Sequence, residues 1–134
     1  MNICLTGLNK EKVNKFSKEI AQMLNYTFID AEEEFAPFLI KSAKYPTVLV
    51  DELLQENETQ LLKQLKKSNN CVISVSADMF LSNNNAKMLK NNLSVAILED
   101  DLDEISVNIQ NLLKNKCKQT AKNKQELFNI VTEL

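Results

Sequence analysis

Gly7, Lys10, Lys12 and Asn14 follow a short apolar run, Ile3-Cys4-Leu5, and open a stretch in which Val13, Phe16, Ile20 and Leu24 recur at helical spacing. A glycine between a strand and a helix is the setting in which backbone N–H groups, a lysine and a hydroxyl hold phosphate and magnesium, in the pattern G-x-x-x-x-G-K-[ST]. Counted from Gly7, the three defining positions carry Lys12, Val13 and Asn14. Lys12 adds bulk where backbone must wrap a phosphate, Val13 cannot donate a hydrogen bond, and Asn14 is a poor hydroxyl substitute. Lys10, Lys12 and Lys15 still bring positive charge to a helix N-terminus, and they also read as the solvated face of an ordinary helix capped by Asn9. Further candidates close other strand-like runs: Asp30 after Tyr26-Thr27-Phe28-Ile29, Asp51-Glu52 after Thr47-Val48-Leu49-Val50, and Ser76-Ala77-Asp78 after Cys71 to Val75.

The elements that must position these residues follow a regular beat. Short buried-looking strands alternate with helical stretches: Ala31 to Lys44, Leu54 to Leu65, Ala86 to Lys90, and a long polar-faced helix after Asp103. The pattern predicts a three-layer α/β/α sandwich around a parallel sheet of about five strands, with Gly7, Asp30, Asp51, Ser76 and Leu98 to Asp100 gathered on its C-terminal rim. The 134 residues form one domain, 1–134, in which 115–134 reads as a loosely packed C-terminal helical segment.

Composition narrows the chemistry further. Sixteen basic against eighteen acidic residues give a net charge of −2, with no bias toward nucleic acid. Every basic residue is Lys, histidine and tryptophan are absent, and Gly7 is the single glycine, so imidazole acid/base work and guanidinium clamps are excluded. Cys4, Cys71 and Cys117 are odd in number and far apart, which predicts buried free thiols and no metal site; a cysteine nucleophile would want the missing histidine. No export signal and no apolar run near the ~20 residues of a spanning helix are present, which places the chain in the cytoplasm, away from membranes.

The stretches Asn2 to Gly7 and Ala21 to Glu32 resemble the opening of shikimate kinases, where a phosphate-loop helix ends in a Leu-Asn/Gly turn and the next strand closes on Asp-x-Asp. Val72 to Asp78 and Leu81 to Leu98 continue the likeness, which covers roughly residues 2 to 110. It implies a P-loop-kinase-like fold. By position, Asp30 falls on the acid that supports magnesium and the acceptor hydroxyl, and Glu32 on a substrate-binding aspartate. Gln55 stands near the substrate arginine, Glu58 keeps a later acid, and Ser76 and Asp78 replace a glycine run. The lid is shortened into Asn115 to Asn123, and the chain stops short of the family's last strand. The resemblance therefore implies a non-catalytic binding or scaffolding domain with a protein partner not identified by the sequence, needing no cofactor. The alternative is an active small-molecule kinase using ATP and magnesium through unusual lysines. Self-association is expected through Leu127, Phe128 and Ile130 of the C-terminal segment.

A second resemblance is to response-regulator receiver domains, which are flavodoxin-like. Asp51 matches the phosphoacceptor there and Ser76 the hydroxyl after strand four, while the metal-binding acidic pair falls on Gly7-Leu8. Strand order separates the two: a receiver places strand one beside strand two, whereas the kinase class inserts another strand between them.

Overall fold

The computed structural model describes residues 2–31, 33, 70–81 and 93–133. Its first strand, β1 (Ile3–Gly7), is buried at every position, the signature of a central parallel strand covered on both faces. Side-chain alternation sends Ile3 and Leu5 to one face and Cys4 to the other, and this divides the core into two clusters.

On the first face lies α1 (Lys10–Leu24), which buries Val13, Phe16, Ser17, Ile20 and Ala21. Each large apolar side chain removed from water here contributes roughly 1.5–3 kcal/mol. Both ends of α1 are set by local chemistry. The Asn9 side chain accepts from the Lys12 amide, and Asn25, at φ 57° and ψ 40°, stops the helix in the left-handed conformation. The chain reverses into β2 (Thr27–Asp30). The remaining described elements are β3 (Cys71–Ser76), α2 (Ala77–Leu81), β4 (Leu93–Ile97), α3 (Glu104–Lys116), β5 (Gln119–Ala121) and α4 (Lys124–Thr132). Leu127 and Val131 of α4 join α1 on the first face, while Met79 and Phe80 of α2 and Leu113 of α3 fill the second.

The sheet is parallel throughout, in the order β2-β3-β1-β4-β5. Gly7 stands level with Ser76 on one side and Ile97 on the other, and Asp30 stands level with Ser74. The predicted rim exists: the ends of β1, β2, β3 and β4 open on the same edge. Since β1 pairs with β3 and β4 and never with β2, the receiver-like, flavodoxin-like alternative is overturned.

Two further expectations are corrected. The segment read as a shortened lid, Asn115 to Asn123, instead contains the end of α3 and the strand β5, so the sheet does have a fifth strand beside β4. Gln119 and Thr120 are exposed and only Ala121 is buried, which is why a three-residue edge strand left no apolar run to read. Leu127, expected on an exposed surface, is fully buried, whereas Phe128 and Ile130 are half-buried against its cluster. The expected strand Thr47 to Val50 and the helices over Ala31 to Lys44, Leu54 to Leu65 and Ala86 to Lys90 lie wholly or almost wholly outside the described residues. No helix among the described residues is long and apolar enough to cross a membrane.

Thr6 is fully buried in β1, and its hydroxyl has no hydrogen-bond partner among the described residues. An unpaired buried hydroxyl costs about 1–3 kcal/mol. Thr6→Val, which keeps the shape and removes that cost, is expected to raise stability by about 1 kcal/mol in urea unfolding.

Candidate functional site at the C-terminal rim of the sheet

Gly7 ends β1 without a left-handed backbone, since no glycine in the described residues has positive φ. Its requirement is space: a Cβ there would stand 2.8 Å from the Ile97 carbonyl oxygen and 3.1 Å from Val13 Cγ2. The glycine thus lets β1, β4 and α1 approach one another, and this need is met without any phosphate.

Only Leu8 and Asn9 separate β1 from α1. Residues 10 to 13, which a phosphate-wrapping loop would need as open backbone, are already helical. Asn9 closes that first turn twice, its side chain accepting from Lys12 N at 3.2 Å and its carbonyl from Val13 N at 3.0 Å. Two amides that an anion could have used are spent on the cap.

Beneath the turn, the side chains form one connected polar group. Lys10 Nζ lies 3.3 Å from Asp30 Oδ1 and donates to Ser74 Oγ at 3.0 Å. Asn14 Nδ2 donates to Asp30 Oδ2 at 3.2 Å, and the Ser74 hydroxyl donates to Asn14 Oδ1. Both oxygens of Asp30 are therefore engaged, one by an ammonium and one by an amide. The side chains are only 27% and 15% exposed, so this pair is screened less than a surface pair. Lys12 turns away from the group, to Glu99 Oε1 at 3.2 Å, with its ammonium 5.7 Å from the centre of the Phe16 ring. Glu99 is held in turn by Gln110, whose side chain accepts from Glu99 N at 2.8 Å and donates to Glu99 O at 3.1 Å. The first turn of α1 is thus tied by one lysine to β2 and β3 and by another to the exit of β4.

Of the candidates read from sequence, the structure brings together Lys10, Asn14 and Asp30, with Gly7 and Lys12 on the same turn. Ser76 and Asp78 are elsewhere engaged or exposed: Ser76 Oγ accepts from Met79 N at 3.2 Å, capping α2, and Asp78 is exposed in the first turn of that helix. Glu32, Asp51, Gln55 and Glu58 lie outside the described residues. Sequence reasoning missed Ser74 and Gln110. Ser74 had a signal, being the one hydroxyl inside the apolar run Cys71 to Val75, on the strand face that meets α1.

The turn between β1 and α1 is short and capped by Asn9, the Val13 side chain carries no hydrogen-bond donor, and Asp30, the position the resemblance gives to magnesium support, is paired with Lys10. Among the described residues no group of three metal-ligating side chains occurs.

The thiols are equally unsuited to nucleophilic work. None of the three cysteines is in a disulfide among the described residues. Burial raises each thiol above its ordinary value; Cys117, with Ser94 partly offsetting the effect, is pushed up to about 12.

The family model described as shikimate kinase matches residues 14–132. Shikimate kinases from Caldicellulosiruptor bescii and Clostridium botulinum are each 28% identical to this chain. The first aligns over 131 residues, 97% of this chain and 74% of the relative; the second aligns over 105, 78% of this chain and 62% of the relative. Among solved structures, shikimate kinase from Acinetobacter baumannii in complex with shikimate superposes with a TM-score of 0.76 at 13% identity, covering 98% of this chain and 93% of the other. The Aquifex aeolicus enzyme superposes at 0.68 and 18% identity, covering 99% and 95%.

Two predictions follow from the geometry. Lys10→Met and Asp30→Ala are each expected to cost about 1–3 kcal/mol in urea unfolding. The double variant should lose less than the sum, by roughly 0.5–3 kcal/mol, because the second change removes a group already stranded by the first. For the thiols, the folded value lies above the unfolded one of about 8.5, so their contribution is complete below that pH and lost as pH rises through the alkaline range. The melting temperature should fall above about pH 9, and Cys117→Ala should flatten that fall.

Proposed function

This chain belongs to the shikimate kinase family, and from that premise we propose that it carries the fold without the phosphoryl transfer, serving as a binding or scaffolding domain. The observation that supports the reading is Lys10: the protein's own ammonium occupies Asp30 and Ser74, beneath a helix turn in which Asn9 already engages the Lys12 and Val13 amides.

Phosphoryl transfer depends on placing the phosphates and neutralising charge as it moves onto the leaving group. The pattern residues that would do so are absent at Lys12, Val13 and Asn14. Every 1.36 kcal/mol of lost transition-state stabilisation is about tenfold in rate, and removal of several such contacts amounts to many decades. What remains at the rim is a set of contacts that stabilise the fold. Lys10 and Lys12 clamp the start of α1 to three strand ends, which suits a rigid surface better than a site that must open for a nucleotide.

The competing reading, an ATP-dependent small-molecule kinase, requires Lys10 to leave Asp30 and turn toward phosphate. Calorimetric titration with ATP and magnesium separates the two. No heat of binding is expected up to millimolar nucleotide, and no phosphorylated product when shikimate is added. Micromolar binding together with phosphate transfer would establish the kinase instead.

A further inference from the structure

Among the described residues the sheet ends at β5, which pairs with β4 on one side and meets no strand on the other. The Ala121 carbonyl accepts from Leu98 N at 2.8 Å on the β4 side, so backbone alternation turns the N–H and C=O of Thr120 outward. Lys118, Gln119, Thr120 and Lys122 are all exposed. An edge of this kind is a template for a further strand. Beside it, between β5 and α4, lies a hollow of about 370 Å³ lined in part by Leu98 and Ile130, with Glu126 at its wall held by the Lys122 amide.

What borders the edge is positive. Residues 105–125 hold five lysines and no acid, in a chain of net charge −2. Lys124 pairs with Glu19 at 3.0 Å, whereas Lys114, Lys116, Lys118 and Lys122 have no carboxylate within ion-pair distance among the described residues. Lys118 and Lys122 bracket the strand, about 13 Å apart along an extended chain. A second copy of β5 laid along this edge, in either direction, would set lysine beside lysine at both ends, and self-pairing is opposed. A single-stranded nucleic acid is also poorly served. The one aromatic residue in 105–133, Phe128, is half-buried with the Lys124 ammonium 5.3 Å from its ring, which leaves no exposed face for a base to stack on.

We propose that the open edge of β5 docks an extended acidic segment of another protein, added as a further strand with carboxylates about four residues apart against Lys118 and Lys122. Charges that repel another copy of β5 attract this partner, so the same lysines give both the exclusion and the choice. Main-chain bonds to Thr120 set the partner's register, and the hollow takes one of its apolar side chains. With three residues in the strand the contact is small, and binding is weak and salt-sensitive. The inference gives the binding role proposed above a partner. Nucleotide titration tests the rim and peptide titration tests β5, so either can fail without the other.

Fluorescence anisotropy of a labelled peptide of alternating Glu and Val, titrated with the full chain, tests it. Binding with a dissociation constant below about 1 mM is expected, weakened at least about tenfold by Lys118→Glu together with Lys122→Glu, whose exposed side chains leave the melting temperature unchanged. Hydrogen exchange at the Thr120 amide should slow when the peptide is bound. No binding up to about 1 mM overturns the proposal. So does equal binding of the same peptide methylated on every backbone nitrogen, which keeps the charge and loses the edge bonds. A single-stranded oligothymidylate of equal charge that binds as tightly overturns it as well, by reducing the edge to a general polyanion surface.

Discussion

The ion pair between Lys10 and Asp30, extended by Asn14 and Ser74, is the contact on which the rim of this sheet depends. It joins the first turn of α1 to the ends of β2 and β3, two strands that are neighbours in the sheet but separated by a long stretch of chain. A carboxylate 15% exposed beside an apolar core needs a positive or hydrogen-bonding partner. Here the partner is covalently part of the fold. Contacts to Lys10 and Asn14 engage both carboxylate oxygens of Asp30 from within the chain.

That constraint changes the meaning of the opening turn. A phosphate-binding loop holds backbone amides open at a cost in unpaired donors, repaid when the anion arrives. In this chain Asn9 pairs two of them, those of Lys12 and Val13, and the helix starts three residues after Gly7. Lys12, anchored to Glu99, draws the same turn toward the exit of β4, where Gln110 of α3 fixes the Glu99 backbone. The two lysines consequently act as braces between layers. The glycine before them allows close packing against the Ile97 carbonyl, where a Cβ would stand at 2.8 Å.

How much of this could be read from the residues depends on the range of the interaction. Asn9 and Asn25 were legible as the two ends of α1 because capping is decided within four residues. The burial of Ile3 to Leu5 and of Cys71 to Val75 was legible because a parallel strand covered on both faces must be apolar throughout. β5 was not, because an edge strand of three residues with two exposed carries almost no hydrophobic signal. α4 was legible as a helix, since Leu127 and Val131, which reach the core, stand one turn apart. Ser74 was overlooked for a different reason: a hydroxyl in an apolar strand is recognisable, but its partners lie 60 and 64 residues away in sequence.

By itself, the order of residues determined the class of fold, the ends of the first helix, and the absence of the lysine, glycine and hydroxyl that a phosphate loop requires. These are local or compositional properties, decided by backbone conformation and by which functional groups exist. Only the tertiary structure decided the strand order that rules out a receiver, and what took the place of the missing loop. Lys10, Asn14, Asp30 and Ser74 come from three elements, and their pairing exists only once parallel strands place β2 and β3 side by side under the start of α1.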